Sequence, residues 1–399
     1  MVGSYGEKRV LNIVVIGTGM YATGRGTSGY GTVLPAISEW QRDNDHRSEV
    51  VFVGTNGKHS EASKQKSEQL AIDTGVKLNV SFVPDGNVID RNTYKQVLKE
   101  IPRPACAIVV VPDHLHYQVA SDCIMEDLPL LVVKPLTPTI AEGVELVNLA
   151  DDRSLYGAVE FHKRWDKANL MMRDKIQSGQ LGDLLYCWVE YSQRKSIPTE
   201  IFKEWTEKTS ILQYLGIHYI DIMRFCTGAT PMRVMAVGQK RWLLTQGLNA
   251  YDSIQCIVEW KMKEGYQFTQ TILTNWIDPE TSSAMSDQKI KMVGTKGRFE
   301  SDHKERGIRI NLDNSCVEHP NPDYCMDYMD DGGNKVWKGY GIDSIKTFLS
   351  DVVNINSNKV DVKSLEAMRP TFSEALISTA VVEAAHTSLL NNSEWQDVS

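Results

Sequence analysis

Residues 10–37 read VLNIVVIGTGMYATGRGTSGYGTVLPAI, and this stretch decides the fold. An apolar run, residues 10–16, ends at Gly17-Thr18-Gly19, and Ala22 stands where a third glycine often stands. A short run rich in Val and Ile suits a strand buried on both faces. Glycine next lets the chain turn sharply and bring its backbone to a pyrophosphate, whose charge the amides of a following helix would meet. Alone, this motif is weak. Here it lies on the first strand of the chain, and strand and helix patterns alternate after it, which points to a dinucleotide site. Gly17, Thr18, Gly19, Met20 and Tyr21 are expected to line the pyrophosphate. Residues 24–30, GRGTSGY, then delay the helix and add glycines, with Gly31 behind them. The extension is expected to wrap the cofactor's phosphates or reach toward the substrate, with Arg25 as its charge; the plain alternative is a mobile surface loop.

Working outward, strand-like runs at 50–54, 81–83, 107–111, 130–133 and 155–161 alternate with helical patterns at 60–74, 94–101 and 139–150. Thr139 with Glu142 three residues on forms a capping box. This order predicts an N-terminal Rossmann domain, residues 1–160, built on a doubly wound parallel sheet. After Phe161 the pattern changes. Helices at 165–178 and 211–226 accompany strand-like runs at 184–192, 233–237, 253–260, 267–274, 289–293 and 307–312. An α+β domain, residues 161–399, follows, with an open, mainly antiparallel sheet. Residues 314–341, rich in Asn, Asp, Gly and Pro, read as a long loop. Helices at 342–354 and 370–390 close the chain, the last expected to pack back on the first domain.

The chain has 399 residues, 42% apolar and 24% charged, with a net charge of −8. That profile is globular and argues against a nucleic-acid partner. The opening residues, MVGSYGEKRVLNIVV, lack a secretory pattern, and no apolar stretch approaches the ~20 residues of a membrane span. The seven scattered cysteines read as reduced core residues, so a cytoplasmic setting with no membrane association is expected. Cys316, His319 and Cys325 cluster loosely, but their spacing fits no zinc pattern, and no metal is expected.

Several motifs fall in a familiar order. Gly17-x-Gly19-x-x-Ala22 is followed by Val111-Pro112-Asp113-His114-Leu115-His116, Val133-Lys134-Pro135, Gln180-Leu181-Gly182 and Gly216-Ile217-His218-Tyr219-Ile220-Asp221. The set resembles the glucose–fructose oxidoreductase and inositol dehydrogenase family, Gfo/Idh/MocA, over nearly the whole length. Departures stand out: Val133 for the glutamate of E-K-P, Asp113 for an asparagine, and Tyr214 where many polyol-oxidising members carry an aspartate.

The resemblance implies an NAD(P)-dependent oxidoreductase that moves hydride between nicotinamide and a secondary hydroxyl or ketone of a sugar, cyclitol or glycoside. It also implies that the second domain is the substrate-binding and oligomerisation domain. Two alternatives are a glycoside-cleaving enzyme that uses tightly bound NAD for transient oxidation, and a non-catalytic dinucleotide-sensing regulator. On a helix over 211–221, Tyr214, His218 and Asp221 lie at i, i+4 and i+7 on one face. His218 is the expected general base, with Asp221 orienting it or holding the helix. Lys134, at a strand end, is expected to polarise the reacting oxygen and to contact both cofactor and substrate. Tyr214 and Lys163 are the further substrate candidates. Val111, Pro112 and His116 build the turn expected beside the nicotinamide. Residues 53–60 hold no acid for a ribose hydroxyl, whereas Thr55, Asn56 and Lys58 tolerate a 2′-phosphate, so NAD(P) with a lean to NADP is expected. An exposed sheet in the second domain implies a homo-oligomer, dimer or tetramer.

Overall fold

The structure is a computed structural model that describes residues 11–44, 48–314 and 316–398. Val10 and the segment before it, on which the first strand and the secretory reading partly rest, lie outside the described residues. In chain order the helices are α1 (Met20–Thr23), α2 (Val33–Asn44), α3 (Gly57–Thr74), α4 (Thr93–Glu100), α5 (His116–Met125), α6 (Ile140–Asp152), α7 (Lys167–Gln177), α8 (Ile217–Thr227), α9 (Trp242–Thr245), α10 (Tyr340–Asn356) and α11 (Phe372–Leu390). The strands begin with β1 (Asn12–Ile16), β2 (Glu49–Val53), β3 (Asn79–Val83), β4 (Ala105–Val109), β5 (Leu130–Val133), β6 (Gly157–Glu160), β7 (Leu184–Arg194) and β8 (Thr230–Gln239). They continue with β9 (Ser253–Lys261), β10 (Gln267–Asp278), β11 (Ser286–Gly294), β12 (Gly297–Asp302), β13 (Met326–Met329), β14 (Lys335–Lys338) and β15 (Gln396–Asp397).

The chain divides into two compact units. The first holds the chain up to Val133, Glu145–His162 and Tyr324–Phe372; the second holds Lys134–Val144, Lys163–Asp323 and the chain from Ser373. In the first, the described residues form a parallel sheet of order β3-β2-β1-β4-β5-β6, the doubly wound arrangement. β1 and β4 are buried along their whole length, as strands covered on both faces must be. Gly17 closes β1 with φ of +123°, and a β carbon there would lie 2.0 Å from the Val110 carbonyl oxygen, so only glycine lets the turn pass.

The first unit's core also draws on residues far down the chain. Ile342, Ile345, Phe348, Leu349 and Val352 of α10 join Leu34, Ile37 and Trp40 of α2 in one apolar cluster. Glu39 of α2 accepts from the Trp337 amide at 3.0 Å, and Arg42 donates to the Lys335 carbonyl at 3.0 Å, which seats β14. Residues 314–341 are therefore not one structureless loop, because β13 and β14 form a hairpin there. α10 returns to the first unit. From Ser373, α11 clusters with the second unit. There Glu374 pairs with Arg224 at 3.0 Å, His386 meets Ser210 at 2.7 Å, and Glu383 accepts from the Ile140 amide. The capping box at Thr139 and Glu142 forms, with contacts of 3.0 and 3.3 Å.

In the second unit the described strands run β12-β11-β7-β10-β9-β8-β15, antiparallel throughout except for the parallel pair β7 and β10. β9 and β10 alternate buried and partly exposed residues, the mark of a sheet covered on one face. Residues 307–312 form no strand; Ile310 makes only an isolated bridge to Glu318. The ladder ends at β12, and the chain beyond is held by charge, with Arg306 bonding Asp166 at 3.1 Å and Asp323 at 2.7 Å. None of the described helices is long and apolar enough to cross a membrane.

Two stability outcomes follow. Phe348 is 2% exposed and stacks on Tyr156 at 5.7 Å, so Phe348→Ala should cost the first unit about 3–5 kcal/mol in a denaturant titration. Burial pushes the His386 imidazole down to about 4, so the folded second unit holds it neutral. The stability this contributes is complete above the ordinary value of ~6.5 and is lost as pH falls through about 4, by up to about 3 kcal/mol. His386→Gln should flatten that part of the stability–pH curve.

Candidate active site

The first unit carries a cradle for a dinucleotide. At Gly19 an added β carbon would meet no atom within 4 Å, while at Gly17 it would strike β4. The turn thus presses on the sheet at one glycine and lies open at the next, which fits a pyrophosphate. α1 is only four residues long and ends at Gly24 in the left-handed region. The Thr18 carbonyl accepts from Arg25 Nε at 2.9 Å and from Ser63 Oγ at 3.3 Å. Asn56 is occupied as the N-cap of α3, its Oδ1 accepting from the Lys58 amide at 2.9 Å, while Thr55 and Lys58 are exposed.

Other expected cofactor residues turn inward. His116 is fully buried, and its Nε2 meets the Val111 carbonyl at 2.9 Å, so it shapes the turn that carries half-buried Val111 and Pro112. The Tyr21 hydroxyl lies among Glu160 and Tyr324; burial, then the charge of Glu160, pushes its pKa well up. Glu160 also accepts from Ser344 at 2.7 Å and meets His162 Nδ1 at 2.8 Å, and the His162 ring stacks on Tyr340 at 5.6 Å. Cys325 donates to the Gly31 carbonyl at 3.7 Å, and His319 accepts from Arg309 at 3.2 Å. Among the described residues no three His, Cys, Asp or Glu side chains could share a metal.

In the second unit, Lys134 follows the last residue of β5 in the chain. Its Nζ donates to the Tyr214 carbonyl at 2.5 Å and sits 3.4 Å from the centroid of the Tyr214 ring. A carbonyl and an aromatic face both favour the charged ammonium. Tyr214 is in turn ringed by Phe202 at 4.6 Å, Trp205 at 6.1 Å and Trp276 at 6.2 Å. Tyr214, Trp205 and Lys134 are each half-buried, so this aromatic and cationic surface is partly open. Nothing in the sequence reading singled out Phe202 or Trp205; aromatic residues outside a helical or strand period carry no local signal.

The helix expected over 211–221 is interrupted. Residues Leu212–Gly216 form a π turn, and the Ile217 amide bonds the Leu212 carbonyl, five residues back. The wider turn separates Tyr214, which lies in it, from His218 and Asp221, which lie three residues apart in the regular α8. His218 is 3% exposed near the start of α8. Asp221 is taken by Arg164, with three contacts of 2.6, 2.9 and 3.1 Å between buried side chains. It holds the helix. Burial pushes the Asp221 carboxyl up, and Arg164 pulls it back.

Lys163 is deeply enclosed. It is 1% exposed, bonds Gln288 Oε1, and lies 5.2 and 5.3 Å from the Tyr191 and Tyr219 rings. Burial lowers its pKa to about 8, with Asp166 opposing and Arg306 adding to the shift.

A doubly wound sheet with an open glycine turn, joined to a mainly antiparallel sheet, defines a dinucleotide-binding oxidoreductase fold. Residues 11–161 match the oxidoreductase family with an NAD-binding Rossmann fold, and residues 169–300 match the GFO/IDH/MocA C-terminal domain. The chain belongs to the Gfo/Idh/MocA family. It is 32% identical over 145 residues to the scyllo-inositol 2-dehydrogenase (NADP(+)) IolW of Bacillus subtilis, covering 35% of this chain but only 38% of that relative. The scyllo-inositol dehydrogenase of Lactobacillus casei, solved with NAD(H) and scyllo-inositol, shares the fold with a TM-score of 0.66 at 13% identity, covering 98% of this chain and 99% of that one. The myo-inositol 2-dehydrogenase of Lactobacillus plantarum gives 0.66 at 15% identity, over 98% and 100%.

The Arg164–Asp221 pair yields a prediction. Asp221→Asn leaves a buried guanidinium without its counter-charge and should cost the second unit about 3–5 kcal/mol in chemical unfolding.

Proposed function

We propose that the protein is an NAD(P)-dependent dehydrogenase acting on a secondary hydroxyl or ketone of a sugar, cyclitol or glycoside. The carrying observation is Lys134, whose Nζ rests on the carbonyl and ring of Tyr214, four residues ahead of buried His218. Bound nicotinamide would supply the hydride acceptor. Gly17, Thr18, Gly19 and Met20 would hold its diphosphate.

In the oxidative direction His218 takes the hydroxyl proton, since an imidazole titrates near the pH where such chemistry runs. Lys134 faces the same oxygen and stabilises the negative charge that develops there. One of its three donors is spent on Tyr214, which fixes the ammonium for the others. The half-buried Tyr214 and Trp205 rings offer an apolar wall to the carbon face of a sugar ring. An acid-free stretch from Val53 to Ser60, and an NADP(+)-dependent relative, support NADP as the coenzyme.

A homo-oligomer and a cytoplasmic setting complete the reading. On the second unit's sheet Leu185, Tyr186 and Val237 are 51, 44 and 41% exposed, and these apolar side chains support pairing with a second copy. All seven cysteines are free thiols.

The test is to denature the purified protein, identify any released dinucleotide by mass, and then screen inositols, sugars and glycosides for change in nicotinamide absorbance. Lys134→Ala should lower kcat by roughly 10²-fold or more while dinucleotide affinity stays within about twofold. Hydride transfer undiminished in that variant would overturn the mechanism. Aglycone release without turnover of free coenzyme would select a glycoside-cleaving enzyme instead.

A further inference from the structure

The extension between α1 and α2 is not a loose loop. Gly24 donates to the Met20 carbonyl at 2.8 Å, Thr27 to the Gly24 carbonyl at 2.9 Å, and Thr32 to the Tyr21 carbonyl at 2.7 Å. α3 straps it down along its length. Lys66 donates to the carbonyls of Thr27 at 2.7 Å and Gly29 at 2.9 Å, and the Tyr30 hydroxyl donates to Asp73 at 2.8 Å.

This strapping fixes where Arg25 stands. Its Nε donates to the Thr18 carbonyl, which also accepts from Ser63 of α3. The Thr18 side chain lies against the end of β2, since a β carbon on Gly54 would be 2.9 Å from its Oγ1. Arg25 is therefore pinned between the glycine turn, whose Thr18 also meets the end of β2, and the first turns of α3. Its charge also helps burial depress the neighbouring His59 imidazole. In a doubly wound fold this corner reads the 2′ position of the adenosine ribose: an acid accepts from the hydroxyl, or an arginine meets the phosphate. No acid is present from Val53 to Ser60. Nε is spent on Thr18, and the other four guanidinium donors form the fork that matches phosphate oxygens.

We propose that Arg25 reads the 2′-phosphate of NADP, which makes the glycine-rich extension a coenzyme-specificity element. The inference rests on the nicotinamide reading above and deepens it.

Calorimetric titration of the full chain with two small probes, 2′,5′-ADP and 5′-AMP, tests it. The unmodified protein should bind 2′,5′-ADP at least ~10-fold more tightly, and Arg25→Gln should remove most of that margin while 5′-AMP affinity changes less than about twofold. Equal loss for both probes, or no loss for 2′,5′-ADP, overturns the assignment. If the variant does not fold, the unmodified chain still decides, because equal affinity for the two probes is also an overturning result. Failure to bind either probe or any dinucleotide would instead remove the nicotinamide reading itself.

Discussion

The backbone at Gly17 passes so near β4 that a β carbon would lie 2.0 Å from the Val110 carbonyl oxygen. The rest of the first unit is arranged around that passage. The Gly17 amide bonds the Val53 carbonyl at 2.8 Å, and the Val110 amide bonds the Ile16 carbonyl at 2.8 Å, so the turn ties together the ends of β1, β2 and β4. The next carbonyl, that of Thr18, then gathers Arg25 and Ser63. One steric constraint thereby leads to an open turn at Gly19, an ordered extension and the placing of α3.

The second unit depends on charges taken out of water. Arg164 and Asp221 are both buried, and such a pair contributes little net stability while costing much if broken. Its consequence is geometric: it holds α8 by a bidentate contact just after the π turn. The π turn in turn sets the Tyr214 carbonyl and ring where Lys134 meets both. Asp166 plays a similar part, since it caps α7 through the Ala168 amide at 3.1 Å while bonding His303 and Arg306. Buried charge here positions helices and the loop that follows β12.

Much of the architecture was legible because its signals are local. The run through Ile16, the glycines after it, and Thr139 with Glu142 each encode a backbone conformation through their own φ, ψ and hydrogen-bonding needs. The reading failed where a pattern was compatible with two environments. Residues 307–312 alternate like a strand but join no ladder: Ile310 makes an isolated bridge to Glu318, and Arg306 anchors the chain to Asp166 and Asp323. The helix at 370–390 is apolar on most sides, so its periodicity could not say which unit it would join. α10, with one clear apolar face, is the helix that completed the first core.

The sequence by itself determined that a parallel sheet precedes a mainly antiparallel one and placed the glycine turn, since periodicity and turn chemistry act over a few residues. It also named Lys134, His218 and Tyr214 as chemistry-bearing side chains. Only the tertiary structure decided whom the charges meet. Arg164 reaches Asp221 across 57 residues of chain, and Lys134 reaches Tyr214 across 80. Lys163 is enclosed by Tyr191, Tyr219 and Gln288, and Asp221 pairs with Arg164 and so holds the helix, one of the two parts expected of it. A charged side chain's role follows from the dielectric and the partners around it, and those are assembled from distant segments that no local pattern records.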